Sequence, residues 1–396
     1  MNKQLGLFDD QRATSKQAIQ ETIDSLQTYG KNYKNWAIAY SGGKDSTTLV
    51  TLILYLLDTE QIPRPETLTV LYADTRMELP PLHSGAMAIL EKVKEKSWSA
   101  QVVRAELDKR FLVYLLGRGV PAPNNSTLRW CTNQIKLEPM KQALVKLSKD
   151  NERFLMLTGV RVGESASRDQ RISTSCSKNG AECGQGWFQN DLNGISDTLA
   201  PLLHWRVCNV WDWLMLDAPD LGFNTELLCD VYGGDEATEI NARTGCIGCP
   251  LTDKDMALEN LVKNPKYTYL EPLLGMKPIF RETRRLDKRL KKIIEYKKDG
   301  SIGMNPGRVG PVILEFRLEL LERILDIQSQ INTKAQELGR LPVDILNQEE
   351  EARIRELISL GTYPNKWTGD EILGDAIVER WYEDGSVQYS LFGNLV

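Results

Sequence analysis

Histidine is almost missing. The 396-residue chain holds two, His83 and His204, which leaves little room for catalysis by imidazole acid–base chemistry. Long apolar runs are missing too. The longest, Leu49 to Leu57, is interrupted by Thr51 and Tyr55 and falls far short of the roughly 20 residues that cross a bilayer. The opening stretch MNKQLGLFDD has no apolar signal core, so the expectation is a cytoplasmic protein with no membrane attachment. Basic residues are not in excess: 49 Lys and Arg stand against 54 Asp and Glu, for a net charge of −5. Any contact with nucleic acid must then come from a local basic face, not from bulk attraction. The seven cysteines are then expected in a reducing compartment, where thiols serve metals or catalysis in preference to disulfides.

What is present is a long chain with ordinary globular composition, enough for two domains and a sizeable core. Residues 1–30 form an N-terminal helical segment, 31–250 an α/β domain, and 251–396 a mainly helical C-terminal region. Within the α/β part the patterning predicts strands at Asn35–Tyr40, Thr67–Ala73, Gln101–Ala105 and Phe154–Leu157. They alternate with helices at 45–57, 81–97 and 137–149. Alternation of this kind predicts a doubly wound, mostly parallel sheet. In such sheets ligands bind beyond the carboxyl ends of the strands, so the segments after Tyr40, Ala73 and Leu157 should share one rim. Residues 173–198, rich in Ser, Gly, Asn and Cys, read as a long irregular loop.

The first rim segment is Ser41-Gly42-Gly43-Lys44-Asp45-Ser46. Glycines let an anion approach the backbone, the free N–H groups of the following helix start bind phosphate, and Lys44 adds charge. It is not a Walker A loop, which would need glycine at position 38 and Ser or Thr after the lysine; Ile38 and Asp45 stand there instead. The bland alternative is a plain strand-to-helix turn. The second segment, Asp74-Thr75, suits a metal, a ribose or an amine, or serves only as a helix N-cap. The third runs from Thr158 to Arg168. Its Arg161 and Arg168 can each fork onto a phosphate, and Glu164 can orient an arginine or a metal; the alternative is a solvated, charged helix start.

Cys246-Ile247-Gly248-Cys249 is a metal-type spacing: two thiolates two residues apart bind one metal or neighbouring irons of a cluster. Zinc, a redox dithiol and two unligated thiols remain alternatives. Cys131 precedes a predicted helix and is either a further ligand or a small buried hydrophobe. Cys176 and Cys183 are candidates for a fourth ligand, whereas Cys208 and Cys229 read as packing residues. Further on, residues 281–298 read as a basic helix with Arg281, Arg284, Arg285, Lys288 and Lys292 on one face, suited to a DNA backbone or simply solvated. An apolar stripe at Leu314, Leu318, Leu321 and Leu325 reads as the core face of a helix.

Ser41–Ser46 resembles the PP-loop of the adenine-nucleotide α-hydrolase superfamily, and the three rim segments together resemble its PAPS-reductase branch. That branch also carries the Pro-Leu-x-x-Trp and Val-Trp pattern found here at Pro201–Trp205 and Val210–Trp211. The resemblance covers about residues 30–250. It implies an ATP pyrophosphatase in which Ser41, Gly42, Gly43, Lys44, Asp45 and Ser46 hold the leaving pyrophosphate with Mg²⁺. Asp74, Thr75, Gly159, Arg161 and Glu164 complete the nucleotide site, and Lys44, Asp45, Arg161 and Arg168 carry the catalysis. Cys131 followed by a distant CxxC is similar to the DndC/SspD family of DNA phosphorothioate modification. That likeness implies a 4Fe–4S cluster on Cys131, Cys246 and Cys249, adenylation of a DNA backbone phosphate, and sulfur insertion. DNA, a cysteine desulfurase as sulfur donor and other phosphorothioation proteins are the implied partners. The alternatives are a tRNA thiolase of the PP-loop class and a non-enzymatic, zinc-bearing nucleic-acid-binding module. A PAPS or APS reductase proper is disfavoured, because it uses a cysteine near its C-terminus and no cysteine follows Cys249.

Overall fold

The computed structural model describes residues 14–125, 129–148, 153–163, 169–170, 172–175, 182, 186–189, 195–232, 245–292 and 309–376, with the backbone of 380–381 and 387–388. The chain folds into two compact units. Unit 1 comprises Met1–Asp74, Glu78–Val103 and Pro139–Thr244, and unit 2 comprises Thr75–Met77, Arg104–Glu138 and Gly245–Val396.

Unit 1 is built on a six-stranded sheet. Its strands are β1 (Asn35–Tyr40), β2 (Thr67–Ala73), β3 (Ser99–Val103), β4 (Phe154–Leu157), β5 (Trp187–Gln189) and β6 (Ser196–Ala200), in the order β3-β2-β1-β4-β6-β5. All neighbours run parallel except β5, which pairs antiparallel with β6. The central strands are buried on both faces, which explains why they read as near-continuous apolar runs instead of alternating ones. One face packs Ala37, Leu71, Val103, Phe154 and Met156 against Leu144 of helix α4 (Glu138–Leu147). Helix α1 (Ser15–Tyr29) opens on a capping box between Thr14 and Gln17. Helix α2 (Lys44–Asp58) is buried almost all round, as expected of a core helix. Helix α3 (Pro80–Glu95) begins on two prolines, whose missing N–H groups cost nothing at a helix start. Two short helices follow the sheet, α5 (Val207–Asp212) and α6 (Glu226–Tyr232).

The doubly wound, mostly parallel sheet expected from the sequence is therefore present. The third strand lies two residues earlier than expected. The segment read as an irregular loop, 173–198, supplies β5 and the start of β6. Its polar composition hid two short strands whose stability comes from pairing with β4 and with each other, not from their own propensity.

Unit 2 holds helices α7 (Met256–Leu261), α8 (Met276–Glu282), α9 (Leu314–Glu337) and α10 (Gln348–Ser359). It also holds an antiparallel sheet of β7 (Arg289–Lys291), β8 (Val309–Val312) and β9 (Ile372–Leu373) in the order β8-β7-β9. The expected basic helix over 281–298 is not formed. Helix α8 ends at Glu282, and Arg289 and Lys291 lie on β7, paired with Val312 and Val309; residues 293–298 lie outside the described residues. Long-range pairing has overridden the local helical spacing. The apolar stripe of α9 is also rotated from the expected one. Phe316, Leu320, Leu321, Ile324, Ile327 and Ile331 are buried, whereas Leu318 is exposed.

Candidate functional site

The sheet order reverses at β1, which has β2 on one side and β4 on the other. Parallel strands whose connections depart in opposite directions leave a crevice at their carboxyl ends, and the loop Ser41–Ser46 lies there between β1 and α2. Gly42 has φ +73°, a conformation that glycine adopts without penalty. Gly43 is the N-cap of α2 and offers no side chain to the helix. A helix start exposes backbone N–H donors that no carbonyl of the helix satisfies, and the helix dipole adds partial positive charge at the same end. The serines close the turn from within. Ser46 Oγ donates to the Gly43 carbonyl at 3.0 Å and lies 3.1 Å from Ser41 Oγ.

Cations and one carboxylate interlock above this turn. Asp45 accepts from Arg161 Nε at 2.6 Å and pairs with Lys44 Nζ at 3.2 Å. Arg161 is 1% exposed, and its Nη1 donates to the Trp205 carbonyl at 3.0 Å. Lys44 is 5% exposed, with its ammonium 5.1 Å from the ring centre of Tyr232. The hydroxyl of Tyr232 accepts from the Lys44 backbone N–H at 3.4 Å. Lys44 and Arg161 are two buried cations sharing one carboxylate, Asp45, an arrangement suited to contacts with a polyphosphate. Gly159, after β4, is required by space. A Cβ there would lie 2.9 Å from the backbone C and O of Asp45, so the β4 segment and the loop touch main chain to main chain. Asp74 ends β2, is 1% exposed and donates its N–H to the Val103 carbonyl at 3.0 Å.

The structure thus brings together Ser41, Gly42, Gly43, Lys44, Asp45, Ser46, Gly159 and Arg161 within unit 1, with Asp74 on the same edge of the sheet. Thr75, buried, begins the short segment assigned to unit 2. Glu164 and Arg168 lie outside the described residues. Sequence reasoning missed Tyr232, for which no motif existed. It also gave Trp205 no task, although the Pro201–Trp205 pattern was visible; its carbonyl anchors Arg161. His204 in that pattern is exposed, and His83 meets the Tyr72 hydroxyl at 3.2 Å through Nδ1.

Cys131, Cys246 and Cys249 all belong to unit 2, and all are half-buried. The CxxC is a tight turn. The Cys249 N–H donates to the Cys246 carbonyl at 3.0 Å, Gly248 has φ +63°, and its N–H donates to Asp255 Oδ2 at 3.0 Å. A Cβ at Gly248 would lie 2.9 Å from Lys277 N and Met276 Cβ, so only glycine fits. Burial pushes the Cys249 thiol above its ordinary pKa. The Leu251 N–H and Lys277 pull it down, while Cys131 and Asp255 push it further up. Cys131 is therefore within electrostatic reach of Cys249. Among the described residues no three His, Cys, Asp or Glu side chains gather tightly enough for a single metal ion. A cluster with one cysteine per iron asks for thiolates spread around a larger centre, and thiolate donors in a glycine turn suit that chemistry. Cys176 and Cys183 lie outside the described residues; Cys208 is exposed and Cys229 half-buried.

Comparison with known proteins agrees with the unit 1 geometry. Residues 35–220 match the phosphoadenosine phosphosulfate reductase domain family. Two uncharacterized proteins of Methanocaldococcus jannaschii are similar. One is 30% identical over 219 residues, 55% of this chain and 42% of the relative; the other is 28% identical over 190 residues, 48% of this chain and 33% of the relative. The chain thus spans less than half the length of these curated relatives. Among solved structures, the phosphate complex of phosphoadenylyl-sulfate reductase from Candida auris aligns at 12% identity and TM-score 0.35, covering 57% of this chain and 98% of that one. The U34-tRNA thiolase of Methanococcus maripaludis with its [4Fe-4S] cluster aligns at 15% identity and TM-score 0.34, covering 67% and 79%. The switch-point loop and the family match coincide on the same strands: over residues 35–220 this chain is similar to the phosphoadenosine phosphosulfate reductase domain.

Proposed function

We propose that this protein is an ATP pyrophosphatase that activates a DNA backbone phosphate by adenylation and inserts sulfur into it. The observation that carries this reading is the interlock of Lys44, Asp45 and Arg161 over the uncapped start of α2 at the sheet's switch point. Backbone N–H groups and two buried cations there suit the β and γ phosphates of ATP, with Mg²⁺ as the expected counter-ion. A non-bridging oxygen of the acceptor attacks the α phosphorus. The new P–O bond forms as the α–β bridging bond breaks, and pyrophosphate leaves into the loop. Transfer of this kind depends on positioning and charge neutralisation more than on proton transfer, which suits a site built from Lys, Arg and main chain. The outer sulfur of a persulfide delivered by a cysteine desulfurase, released as sulfide by two electrons from a thiol reductant, then forms a P–S bond as AMP departs.

Cys131, Cys246 and Cys249 would hold a 4Fe–4S cluster, which when bound supplies an iron site for sulfur. Gly248 keeps the CxxC turn tight, and Lys277, which donates to Thr252 O and Oγ1 at 3.0 Å, places a positive charge near thiolates. The DNA acceptor rests on the cysteine pattern described above.

The test is mass spectrometry of nuclease-digested DNA and of tRNA from cells carrying the wild-type protein or Lys44→Ala, together with pyrophosphate release by the purified proteins. The expected result is phosphorothioate dinucleotides and pyrophosphate release with wild type and loss of both with Lys44→Ala. Unchanged dinucleotides in the variant refute the role of the loop, and thiolated tRNA with unmodified DNA moves the acceptor to tRNA. Iron analysis of anaerobically purified Cys246→Ala should show iron lost with product; retained iron points to a redox thiol.

A further inference from the structure

Unit 2 contains a cavity of about 420 Å³, within the size range of small-ligand sites. Tyr114, Trp130 and Trp367 supply aromatic wall, and Arg284, Arg289 and Asn124 supply polar groups. We propose that this cavity is a nucleotide-binding site, taking one aromatic base with its phosphate. The inference rests on unit 2 residues alone and goes beyond the ATP site of unit 1.

Charge is the first argument. Among the described residues no Asp or Glu lines the cavity, and there neither arginine has a carboxylate partner. Arg289 is fixed by main chain, with Nε donating to the Gly310 carbonyl at 2.7 Å and Nη2 to the Val309 carbonyl at 2.9 Å. Arg284 Nε donates to the Ala122 carbonyl at 3.3 Å, while its Nη2 is buried with no hydrogen-bond partner among the described residues. A buried guanidinium donor left unmet costs free energy, and an anion in the cavity would satisfy it. Burial lowers the pKa of both arginines, that of Arg289 to about 10, and like charge adds to the effect: Arg284 acts on Arg289, and Arg281 on Arg284. Two cations crowded without a counter-charge favour a phosphate, whose oxygens match the guanidinium fork.

Shape is the second argument. Trp130 donates through Nε1 to the Pro121 carbonyl at 3.1 Å, and its ring packs on Phe111 and Tyr114. Trp367 lies so close to β8 that a Cβ at Gly310 would fall 2.1 Å from its ring. Both indoles are thus held in place before a ligand arrives. Rigid aromatic rings stack any base, and an Asn amide pairs with base edges.

The experiment titrates a short fluorescein-labelled oligothymidylate into full-length protein carrying Lys44→Ala, followed by anisotropy, with AMP and inorganic phosphate as competitors. The Lys44→Ala background keeps a failure of the unit 1 reading separate from a failure here. Arg284→Gln and Asn124→Asp, each added to that background, should weaken binding about tenfold with the melting midpoint unmoved. Displacement of the strand by AMP identifies a free nucleotide as an occupant. Strand binding that AMP does not displace but the two substitutions weaken identifies a nucleic acid strand. Binding unchanged by both substitutions overturns the proposal, as does displacement by inorganic phosphate as effective as by AMP. Should Arg284→Gln fail to fold, the near-isosteric Asn124→Asp decides the matter alone.

Discussion

At the scale of single residues the unit 1 site is organised by Asp45. It lies between Lys44 and Arg161, and the guanidinium of Arg161 has almost no contact with solvent. Removing one member of a buried ion pair leaves the other uncompensated, at a cost of about 3–5 kcal/mol. Asp45→Asn should therefore destabilise the protein by about 3 kcal/mol in urea unfolding and abolish ATP-dependent pyrophosphate release. Arg161→Met added to Asp45→Asn should recover part of the lost stability without restoring activity. Equal losses in single and double variants would mean that the pair is not coupled. Gly159 makes a second point at this scale. Its missing side chain is the space occupied by the Asp45 main chain, so Gly159→Ala should cost about 1–3 kcal/mol through overpacking and weaken ATP binding measured by calorimetry. Stability loss with unchanged ATP affinity would show that the contact is structural only.

At the scale of elements, the parts legible in the sequence are those whose patterns are local. Helix α2 and strands β1, β2 and β4 carry apolar runs and a glycine turn that mean the same thing alone as in the fold. Strands β5 and β6 were not legible, because runs of three and five residues in or beside an otherwise polar segment become strands only by pairing. The basic run after Arg281 misled for the same reason: helical spacing is a local signal, and β7 is held by β8 and β9. Tyr232 was invisible because nothing in its neighbourhood points to a contact with Lys44, 188 positions away. One consequence of ending α8 at Glu282 is testable. Glu282 takes both Arg323 guanidinium donors from α9, at 2.8 and 2.9 Å. The hydrogen bonds and charge of Arg323 hold its carboxyl below the ordinary glutamate pKa despite partial burial. A lowered pKa means that the native state favours the ionised form, so the stabilisation is complete above the unfolded value, near 4.5, and disappears as pH falls through the folded one. Being partly open to solvent, the pair should contribute only about 0.5–1 kcal/mol. Glu282→Gln should thus lower stability by about that amount at pH 7 and by nothing near pH 3. A difference that persists at low pH would assign the loss to packing.

At the scale of the molecule, the proposed acceptor and the cavity ligand are both anionic, yet the chain carries a net charge of −5. A negative protein gains no general attraction for nucleic acid, so affinity must come from few cations placed locally. Arg284 and Arg289 are such a pair, without carboxylate partners among the described residues. Counter-ion release scales with the number of phosphates neutralised, at about 0.7 per phosphate for a single strand. Two to four contacts then predict that the logarithm of the binding constant for single-stranded DNA falls against the logarithm of salt concentration with a slope of about −1.5 to −3. Arg284→Gln should make the slope shallower by about 0.7, whereas Asn124→Asp, which adds repulsion without removing a phosphate contact, should lower affinity and leave the slope nearly unchanged. A slope steeper than about −6 would require a broad basic surface, and recognition would then rest on many scattered cations instead of two fixed guanidinium groups beside two indoles.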